Sequence, residues 1–444
     1  MDKALPRDSG RLRIALLARA CYPLHGRGGL ERHVYDLVRH LLARDTAIAL
    51  ITPPDRTRRP SQDTGDWRHA IGDGAEAWRP FEDPRCVRFV VPYRTFPFAG
   101  RRGTTVIDRS TAYPLFGRRA GRLAARLVAR HEVDLVYGLG ASALGYARAR
   151  ARGATAPFVF NPQGLEEFGA TDPRYAGASL KRIAYAPLRR AVRTCALAAD
   201  CVVATDHVLV PVVRQHLDVA PERLRVIPNG IDLDSCDRLA GPGEGRQMRE
   251  RHGIGERDFV LLSVGRLEAN KGFEVLARAL AHLGNATASW LWVLVGDGPR
   301  RSSIERAVAS LGLRDRVRLA GRIGDADLHA WYEAANLFVH PTLYEGSSLV
   351  TLEAMAHRRA VLATRAGGLP DKVRPGISGW LVEPGDAAGL AAALGDALAH
   401  ADRLRAMGSE GRALAERDFS WPRVADAFLQ LCAELVRARP PVPA

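Results

Sequence analysis

The chain has 444 residues, of which 47% are apolar and 25% are charged. These fractions are those of globular proteins, so they exclude a disordered or fibrous chain, and the length predicts two domains of roughly 200 residues each. The formal net charge of +15 lies entirely in residues 1–230, which hold 37 basic and 22 acidic residues, whereas residues 231–444 hold 27 of each.

The first predicted element is a buried parallel strand at residues 12–18, followed by a loop rich in turn-forming residues. From Leu30 onward, apolar residues recur at helical spacing, and a second apolar strand follows at Ala47–Thr52. A strand, a glycine-containing loop, a helix and a strand form a βαβ unit. This pattern predicts a parallel sheet with right-handed crossovers.

The same α/β alternation continues through the first half of the chain. Its further predicted strands lie at residues 133–137, 157–160, 200–204 and 224–227. Between residues 53 and 114 the pattern weakens, and we predict an irregular insertion around a strand at residues 86–91. The turn at residues 228–232 and a glycine-rich linker at residues 241–245 place the domain boundary near residue 230.

A second α/β series is predicted for residues 231–420. Its strands lie at Phe259–Val264, Trp290–Val295, 317–319, Leu337–His340 and Ala360–Thr364. A final helix at residues 421–437 follows the second sheet, and we expect it to pack back on the N-terminal domain, residues 1–230. The fold class is therefore α/β with two mostly parallel, Rossmann-like sheets.

Several other classes of protein are disfavoured. The polar N-terminus lacks the apolar segment of a secretory signal, and the longest apolar runs fall far short of the roughly 20 residues that span a bilayer. The six cysteines have no C-x-x-C spacing, so neither a disulfide framework nor a structural zinc site is expected. We therefore expect a cytoplasmic protein, with peripheral contact at the inner face of the membrane left open.

Ligands of parallel α/β sheets bind beyond the carboxyl ends of the strands, so the loops there are the places to search for function. The loop after Phe259–Val264 carries Arg266 and Lys271, two cations that could hold a diphosphate. The loop after Trp290–Val295 reads Gly-Asp-Gly-Pro, a tight turn whose glycines allow close backbone approach.

The segment after Leu337–His340 leads directly into a helix that should begin near Ser347 or Ser348. The free N–H groups at such a helix start suit a phosphate. Glu345 precedes this helix, and Glu353 lies roughly 7 to 8 Å along its axis from Ser348, comparable to the distance from a pyrophosphate to its ribose. Taken in isolation, Glu345 as an ordinary acidic residue at a helix N-terminus and Glu353 as a solvated surface glutamate remain the alternative.

Together, Gly-Arg-Leu…Lys-Gly at residues 265–272, Gly-Asp-Gly-Pro at residues 296–299, and Glu345 with Glu353 resemble the donor half of retaining glycosyltransferase family 4. Gly-Gly-Leu-Glu from residue 28 and the turn at residues 228–232 extend the resemblance along the chain. This family has the GT-B fold, so the resemblance implies two facing Rossmann-like domains, with the donor held mainly by the C-terminal one.

The resemblance also implies roles for single residues. Arg266 and Lys271 would bind the donor pyrophosphate and act in catalysis with Glu345, which would contact the donor sugar, while Glu353 would bind the ribose. Gly29 would let the N-terminal loop approach the phosphates. Further positions that match donor-binding segments are Gly28, Gly265, Asp297, Arg322, Ile323, Ser348, Leu349 and Val350, with the loop at residues 321–323 holding the base.

Two D-x-D patterns occur, at residues 232–234 and 325–327. GT-A glycosyltransferases bind a divalent cation with that motif. Asp232 follows the domain boundary, and Asp325 stands where a helix N-cap is expected, so we interpret both as caps. No metal or other cofactor is therefore expected, since the nucleotide sugar is a substrate. The predicted mechanism is departure of the nucleoside diphosphate through an oxocarbenium-like state, with acceptor attack from the same face.

One position departs from the family pattern. Many members carry a histidine after the strand that ends here at Tyr137, a residue thought to contact the transferred sugar, whereas this chain reads Gly-Leu-Gly. The amides of Asn161 and Gln163, which follow the next strand, could supply hydrogen bonds instead. A simple turn at these residues is the open alternative.

The positive charge of the first half predicts an anionic partner. One stripe of helical i, i+4 spacing consists of Arg118, Arg122, Arg126 and Arg130, with Arg119 beside it. A second basic helix is predicted to carry Arg182, Arg189, Arg190 and Arg193, with Leu180, Ile183, Leu188 and Val192 as its apolar face. We expect an anionic or lipid-phosphate-linked acceptor and contact with an anionic membrane, although an ordinary solvated face stays open.

The sequence therefore predicts a retaining glycosyltransferase that uses a UDP- or GDP-linked sugar, in the synthesis of a cell-surface polysaccharide, glycolipid or related glycoconjugate. An isomerase like the nucleotide-sugar 2-epimerases, which share the fold, is the alternative, and a non-catalytic sugar-nucleotide-binding protein also stays open. A nucleic-acid partner is not expected, because no helix-turn-helix, zinc-finger or aromatic-plus-basic RNA signature is present.

Overall fold

The computed structural model describes residues 5, 10–26, 28–55, 75–93, 105–163, 165–169, 183–283 and 289–438. The chain divides into two compact units, Met1–Pro228 together with Trp421–Ala444, and Asn229–Ser420. Within the described ranges, no helix is both long and apolar enough to cross a membrane.

The first unit contains a parallel sheet of seven described strands in the order β3-β2-β1-β4-β5-β6-β7. The strands are β1 Arg13–Leu17, β2 Ala47–Thr52, β3 Cys86–Val90, β4 Leu135–Leu139, β5 Phe158–Asn161, β6 Cys201–Ala204 and β7 Leu224–Val226. The helices are α1 Gly29–Leu42, α2 Arg79–Glu82, α3 Thr105–Ala129, α4 Leu144–Arg150, α5 Glu166–Gly169, α6 Ala186–Ala198 and α7 Val210–Leu217.

The second unit contains a parallel sheet of six described strands in the order β10-β9-β8-β11-β12-β13. These are β8 Phe259–Val264, β9 Trp290–Val295, β10 Val317–Gly321, β11 Leu337–His340, β12 Ala360–Thr364 and β13 Gly379–Val382. The helices are α8 Leu233–Leu239, α9 Pro242–Arg251, α10 Phe273–His282, α11 Arg301–Ser310, α12 Asp325–Ala334, α13 Leu349–Ala356, α14 Leu369–Lys372, α15 Ala387–Ala399 and α16 Leu404–Leu414. The predicted α/β class with two parallel sheets is confirmed.

The last helix, α17 (Trp421–Arg437), belongs to the first unit. Its buried residues Trp421 and Phe428 share one apolar cluster with Val34 and Val38 of α1 and with the β1 residue Leu16. These apolar side chains lose their water contact only when the two helices cover the same face of the sheet. The expected return of the final helix to the N-terminal sheet is confirmed.

Two local expectations are wrong, and one strand was missed. The predicted linker at residues 241–245 begins helix α9, because Pro242 fits a first helical turn and the Glu244 carboxylate accepts a hydrogen bond from the N–H of Gly241. Helix α3 begins at Thr105 and contains Pro114, so the irregular insertion ends earlier than predicted. Strand β13 was not predicted at all. Residues 56–74 and 94–104 of the insertion lie outside the described residues.

Candidate active site

The candidate site lies at the carboxyl edge of the second sheet, where the strand order reverses. Strand β8 lies between β9 and β11, so the loops after β8 and β11 border one crevice, the position where parallel α/β sheets bind ligands. Lys271 follows β8 and Glu345 follows β11, and the Lys271 Nζ lies 2.6 Å from the Glu345 Oε2. The structure thus brings two of the predicted catalytic residues into direct contact.

Glu345 is a nearly buried carboxylate, with its side chain 14% exposed. Its Oε2 also accepts a hydrogen bond from His340 Nε2 at 2.9 Å, and its Oε1 accepts one from the N–H of Gly346 at 3.3 Å. Burial by itself would raise the pKa of Glu345, but the charge of Lys271 and the bond from His340 hold that pKa well below its ordinary value. The carboxylate is therefore ionised at neutral pH.

His340 is a part of this site to which the sequence analysis assigned no role. It ends strand β11, its side chain is fully buried, and burial lowers its pKa although Glu345 favours the protonated form. A neutral imidazole that donates from Nε2 to Glu345 fits this environment. One signal was available in the sequence: His340 is a polar residue at the end of an otherwise apolar strand, and Glu345 follows it five positions later.

Arg266 occupies a different position from Lys271. Its side chain is 61% exposed, and its Nε lies 2.8 Å from the carboxylate of Glu268 in the same loop. The backbone of this loop is tied to the loop after β9, because the N–H of Gly265 donates to Val295 O and that of Leu267 donates to Asp297 O. Arg266 therefore extends from a backbone that is fixed on both sides.

The close approach of the loops after β8 and β9 requires a glycine at the turn after β9. Gly296 has a φ of +135°, and a Cβ there would lie 1.9 Å from the carbonyl oxygen of Gly265. Only glycine fits such a contact. The predicted residue Asp297 closes the turn, since its Oδ1 accepts a hydrogen bond from the N–H of Gly298 at 2.8 Å.

Helix α13 begins as the sequence predicts. Ser348 is the N-cap, and its buried side chain accepts a hydrogen bond from the N–H of Thr351 at 3.3 Å. The N–H groups of Leu349 and Val350 lie in the first turn, where an α-helix offers no acceptor of its own. Behind this turn, the buried Lys372 donates from Nζ to Ser347 Oγ at 3.1 Å, a further cation that the sequence analysis did not identify.

Glu353 is held in place by a residue from another helix. The hydroxyl of Tyr332, on α12, donates to Glu353 Oε2 at 2.9 Å and lies 3.2 Å from Val350 O. This contact fixes the carboxylate that the family resemblance assigns to the ribose. Sequence reasoning missed Tyr332, because helical spacing marks it only as a core residue.

The remaining predicted residues lie as follows. Arg322 is exposed just after β10, Ile323 packs partly buried against the core, and the N–H of Gly296 donates to Gly321 O at 2.8 Å, so these loops are neighbours. Gly28 is the N-cap of α1 and Gly29 its first residue, and both belong to the first unit.

The two D-x-D patterns differ in detail. Asp232 caps α8 as predicted, because its carboxylate accepts hydrogen bonds from the N–H and the hydroxyl of Ser235 at 3.0 and 2.6 Å. The cap of α12 is Gly324, however, and Asp325 is the first helical residue, so that prediction is wrong by one position. An acidic residue in the first turn remains favourable to the helix dipole.

Asn161 forms a turn in the first unit. Its Nδ2 donates to Tyr137 Oη at 3.1 Å, and its Oδ1 accepts from the N–H of Gln163 at 2.8 Å. Gln163 has a φ of +64°, as a tight turn requires. These contacts favour the turn over the substrate-binding alternative for the amide of Asn161, whereas the buried Nε2 of Gln163 has no hydrogen-bond partner among the described residues.

The predicted arginine stripe is exposed at all four positions, Arg118, Arg122, Arg126 and Arg130. Burial lowers the pKa of Arg148 on α4, and so do the positive charges of its neighbours. These neighbours are Arg118, Arg122, Arg152 and Arg190. In the second basic helix, Leu188 and Val192 are buried, but Ile183 is 74% exposed and is not an apolar partner. Leu180 and Arg182 lie outside the described residues.

Two family models match successive parts of this chain. A family model described as Glycosyl transferases group 1 matches residues 245–414, and one described as Glycosyltransferase Family 4 matches residues 27–235. A GDP-mannose-dependent alpha-(1-6)-phosphatidylinositol monomannoside mannosyltransferase from Mycolicibacterium smegmatis is 30% identical, over 73% of this chain and 82% of that protein.

A D-inositol 3-phosphate glycosyltransferase from Salinispora tropica is 38% identical over 49% of this chain and 48% of that protein, so the chain matches about half of that relative's length. Among solved structures, sucrose-phosphate synthase from Thermosynechococcus elongatus has a TM-score of 0.74 at 24% identity, covering 96% of this chain and 100% of that one.

Anabaena HepE in complex with UDP-glucose has a TM-score of 0.67 at 21% identity, covering 96% of this chain and 100% of that one. At these identities the structural likeness shows the GT-B fold alone. The family is shown by the mannosyltransferase relative, with which both family models agree: this chain belongs to glycosyltransferase family 4, within the glycosyl transferases of group 1.

Proposed function

We propose that the protein is a retaining glycosyltransferase that moves a sugar from a UDP- or GDP-linked donor to an acceptor hydroxyl. The observation that carries this proposal is the group formed by Lys271, Glu345 and His340 at the point where the strand order of the second sheet reverses. A cation, an ionised carboxylate and the start of a helix there suit a donor that carries both phosphates and a sugar.

In the proposed mechanism, the C–O bond between the anomeric carbon and the diphosphate breaks first, and negative charge grows on the leaving phosphate. Lys271 and Arg266 stabilise this charge together with the first turn of α13. The ammonium of Lys271 has three N–H donors, so it can keep Glu345 as a partner and still donate to a phosphate oxygen. No divalent cation is needed for the step.

Glu345 and Glu353 have separate tasks in this proposal. Glu345 is held ionised, so it can accept hydrogen bonds from the donor sugar and favour the positive charge of an oxocarbenium-like state. Glu353, fixed by Tyr332, accepts from the ribose hydroxyls. The acceptor hydroxyl attacks from the face that the diphosphate leaves and passes its proton to the leaving phosphate, so the anomeric configuration is retained.

We further propose an acceptor that is anionic or linked to a lipid phosphate, presented at the cytoplasmic face of a membrane. Two relatives are named for acceptors that carry phosphate, an inositol 3-phosphate and a phosphatidylinositol monomannoside. The exposed arginine stripe of the first unit has the charge that such a partner requires. A role in glycolipid, cell-surface polysaccharide or related glycoconjugate synthesis follows from an acceptor of this kind.

The test incubates the enzyme with a panel of UDP- and GDP-sugars, with inositol 3-phosphate or with unphosphorylated inositol, in the presence of EDTA. We expect transfer to the phosphorylated acceptor and a product with the donor's anomeric configuration by NMR. An inverted product, or activity lost in EDTA and restored by Mg²⁺ or Mn²⁺, would contradict the mechanism. Conversion of a nucleotide sugar to its 2-epimer without acceptor would favour the isomerase alternative.

A further inference from the structure

Three side chains that can bind a metal meet in the core of the second unit. Cys236 lies on α8, His329 on α12, and His357 immediately follows α13. Their ligand atoms lie within 4.8 Å of one another, and all three residues are buried. The group joins three helices that are distant in sequence, which is why no motif spacing indicated it.

The surroundings of His357 orient it as a metal ligand. Its Nδ1 lies 2.8 Å from Glu333 Oε1, and Arg359 contacts the other oxygen of that carboxylate at 3.5 Å. Its Nε2 points at His329 Nδ1, 2.7 Å away. Histidines that bind metals usually donate their second ring N–H to a carboxylate in this way, which fixes the tautomer and leaves the opposite nitrogen for the ion.

We propose that Cys236, His329 and His357 bind one Zn²⁺ ion. Two imidazole nitrogens and a thiolate are a donor set that zinc prefers, and the position left open would take a water molecule. With Zn–N distances near 2.1 Å, the two nitrogens of a tetrahedral site lie about 3.4 Å apart. The observed 2.7 Å contact must therefore open by about 0.7 Å.

The proton balance of this binding is simple. The thiol of Cys236 loses its proton to solvent and binds as a thiolate. His357 keeps its proton on Nδ1 toward Glu333, so in the metal-free protein the proton of the 2.7 Å contact is on His329 Nδ1. On zinc binding this proton leaves Nδ1 and His329 takes one up on Nε2, so that it stays neutral and Nδ1 offers a lone pair. No electron is transferred.

The proposed zinc site shares a wall with the donor site. The ring of Tyr332 stacks on His357, with the ring centroids 5.7 Å apart and the planes at 5°. The hydroxyl of the same tyrosine holds Glu353. A bound ion would therefore make the wall behind Glu353 more rigid and stabilise the second unit, without taking part in the transfer reaction.

The experiment strips the full-length protein of metal and titrates it with Co²⁺ and then with Zn²⁺. We expect one equivalent of Co²⁺ with a thiolate-to-cobalt charge-transfer band, which one equivalent of Zn²⁺ abolishes, and a rise of several degrees in the melting temperature with excess Zn²⁺. Cys236→Ala should lose both the band and the shift. Cys201→Ala is the matched control, because Cys201 is also 3% exposed but lies in the first unit.

His329→Gln is a second variant, which can still hydrogen-bond to His357 and so separates loss of the ion from loss of the fold. It should keep the wild-type near-UV circular dichroism and lose the bound metal. Absence of the charge-transfer band in the wild type, or an equal band in Cys236→Ala, would overturn the proposal. The three residues would then form only a hydrogen-bonded core network.

Discussion

The two halves of the chain differ in how they carry charge. In the second unit, the charges of the candidate site are few and paired, as in the contact of 2.6 Å between Lys271 and Glu345. In the first unit, one stripe exposes Arg118, Arg122 and Arg126 on a single helix. Removing one member of a largely buried ion pair leaves an uncompensated charge and strongly destabilises the fold. Exposed charges of one sign, by contrast, gain favourable interaction energy only from a partner outside the molecule. This difference supports the proposed donor site in the second unit and the proposed electrostatic docking face in the first.

The largest expected effect comes from breaking this largely buried pair. Lys271→Ala leaves the Glu345 carboxylate without its cation, and the free energy of unfolding should fall by about 3 kcal/mol or more. Urea denaturation measures this change. Arg266→Ala is the control in the same loop, because its exposed ion pair with Glu268 contributes at most about 1 kcal/mol. Equal losses in the two variants would contradict the contrast between buried and exposed charge.

The next prediction concerns the first unit. A variant with glutamine in place of Arg122, Arg126 and Arg130 removes three charges of the stripe. Each basic residue near an anionic membrane contributes about 1 kcal/mol, so binding to anionic vesicles should weaken by roughly a hundredfold. The remaining binding should fall further as salt rises, since exposed charges are screened over about 8 to 10 Å. Co-sedimentation with anionic and neutral liposomes across a salt series measures both effects.

The matched control changes three exposed arginines of the second unit to glutamine, Arg374, Arg403 and Arg405. This variant has the same net charge as the first one, and it should bind anionic vesicles like the wild type. Equal, salt-insensitive behaviour of all proteins on both lipids would remove the membrane proposal and leave a soluble acceptor.

A third prediction concerns Arg266 itself. Loss of one charge-assisted hydrogen bond to the leaving phosphate costs about 1.5 to 3 kcal/mol, so Arg266→Ala should lower kcat/KM by roughly ten- to a hundredfold. Arg417→Ala removes an exposed arginine with a similar 2.8 Å carboxylate contact and should leave kcat/KM unchanged. Steady-state kinetics on an identified donor decide this, and wild-type turnover in Arg266→Ala would remove the residue from the mechanism.

The smallest expected effect is that of Tyr332→Phe. The variant keeps the ring on His357 and removes the hydroxyl that holds Glu353, a hydrogen bond that contributes about 0.5 to 1.5 kcal/mol. The KM for the donor should rise roughly two- to tenfold with little change in kcat. Tyr146→Phe is the control, since its hydroxyl also donates to a partner but lies in the first unit. An unchanged KM would mean that Glu353 does not depend on Tyr332.

Much of the fold was readable from the sequence because the central strands of parallel sheets are buried on both faces and appear as apolar runs. Ala47–Thr52 and Trp290–Val295 were predicted with the bounds that the structure shows. Strand β13 was missed because it is a short, half-buried edge strand that begins with Gly379. The start of α3 was missed because Pro114 lies inside that helix.

The sequence singled out candidate site residues only where they belong to a short loop motif at the end of a strand. Glu345, Lys271 and the N-cap Ser348 stand in loops whose spacing is informative. His340 and Tyr332 acquire their roles through contacts that only the folded chain makes, one from the end of a strand and the other from a neighbouring helix. By helical and strand periodicity, Tyr332 and His340 look like ordinary core residues. Sequence reasoning therefore had no physical ground to select them.

The central claim is that the second unit binds the nucleotide diphosphate through its own cations, without a divalent ion on the phosphates. Calorimetric titration with UDP and with GDP, in EDTA, tests it on three proteins: the wild type, Arg266→Ala, and the variant with glutamine at Arg122, Arg126 and Arg130. We predict binding of at least one nucleotide in EDTA, weakened about tenfold or more by Arg266→Ala and unchanged in the triple variant. Binding that requires Mg²⁺, or that is lost in the triple variant but kept in Arg266→Ala, would contradict the account.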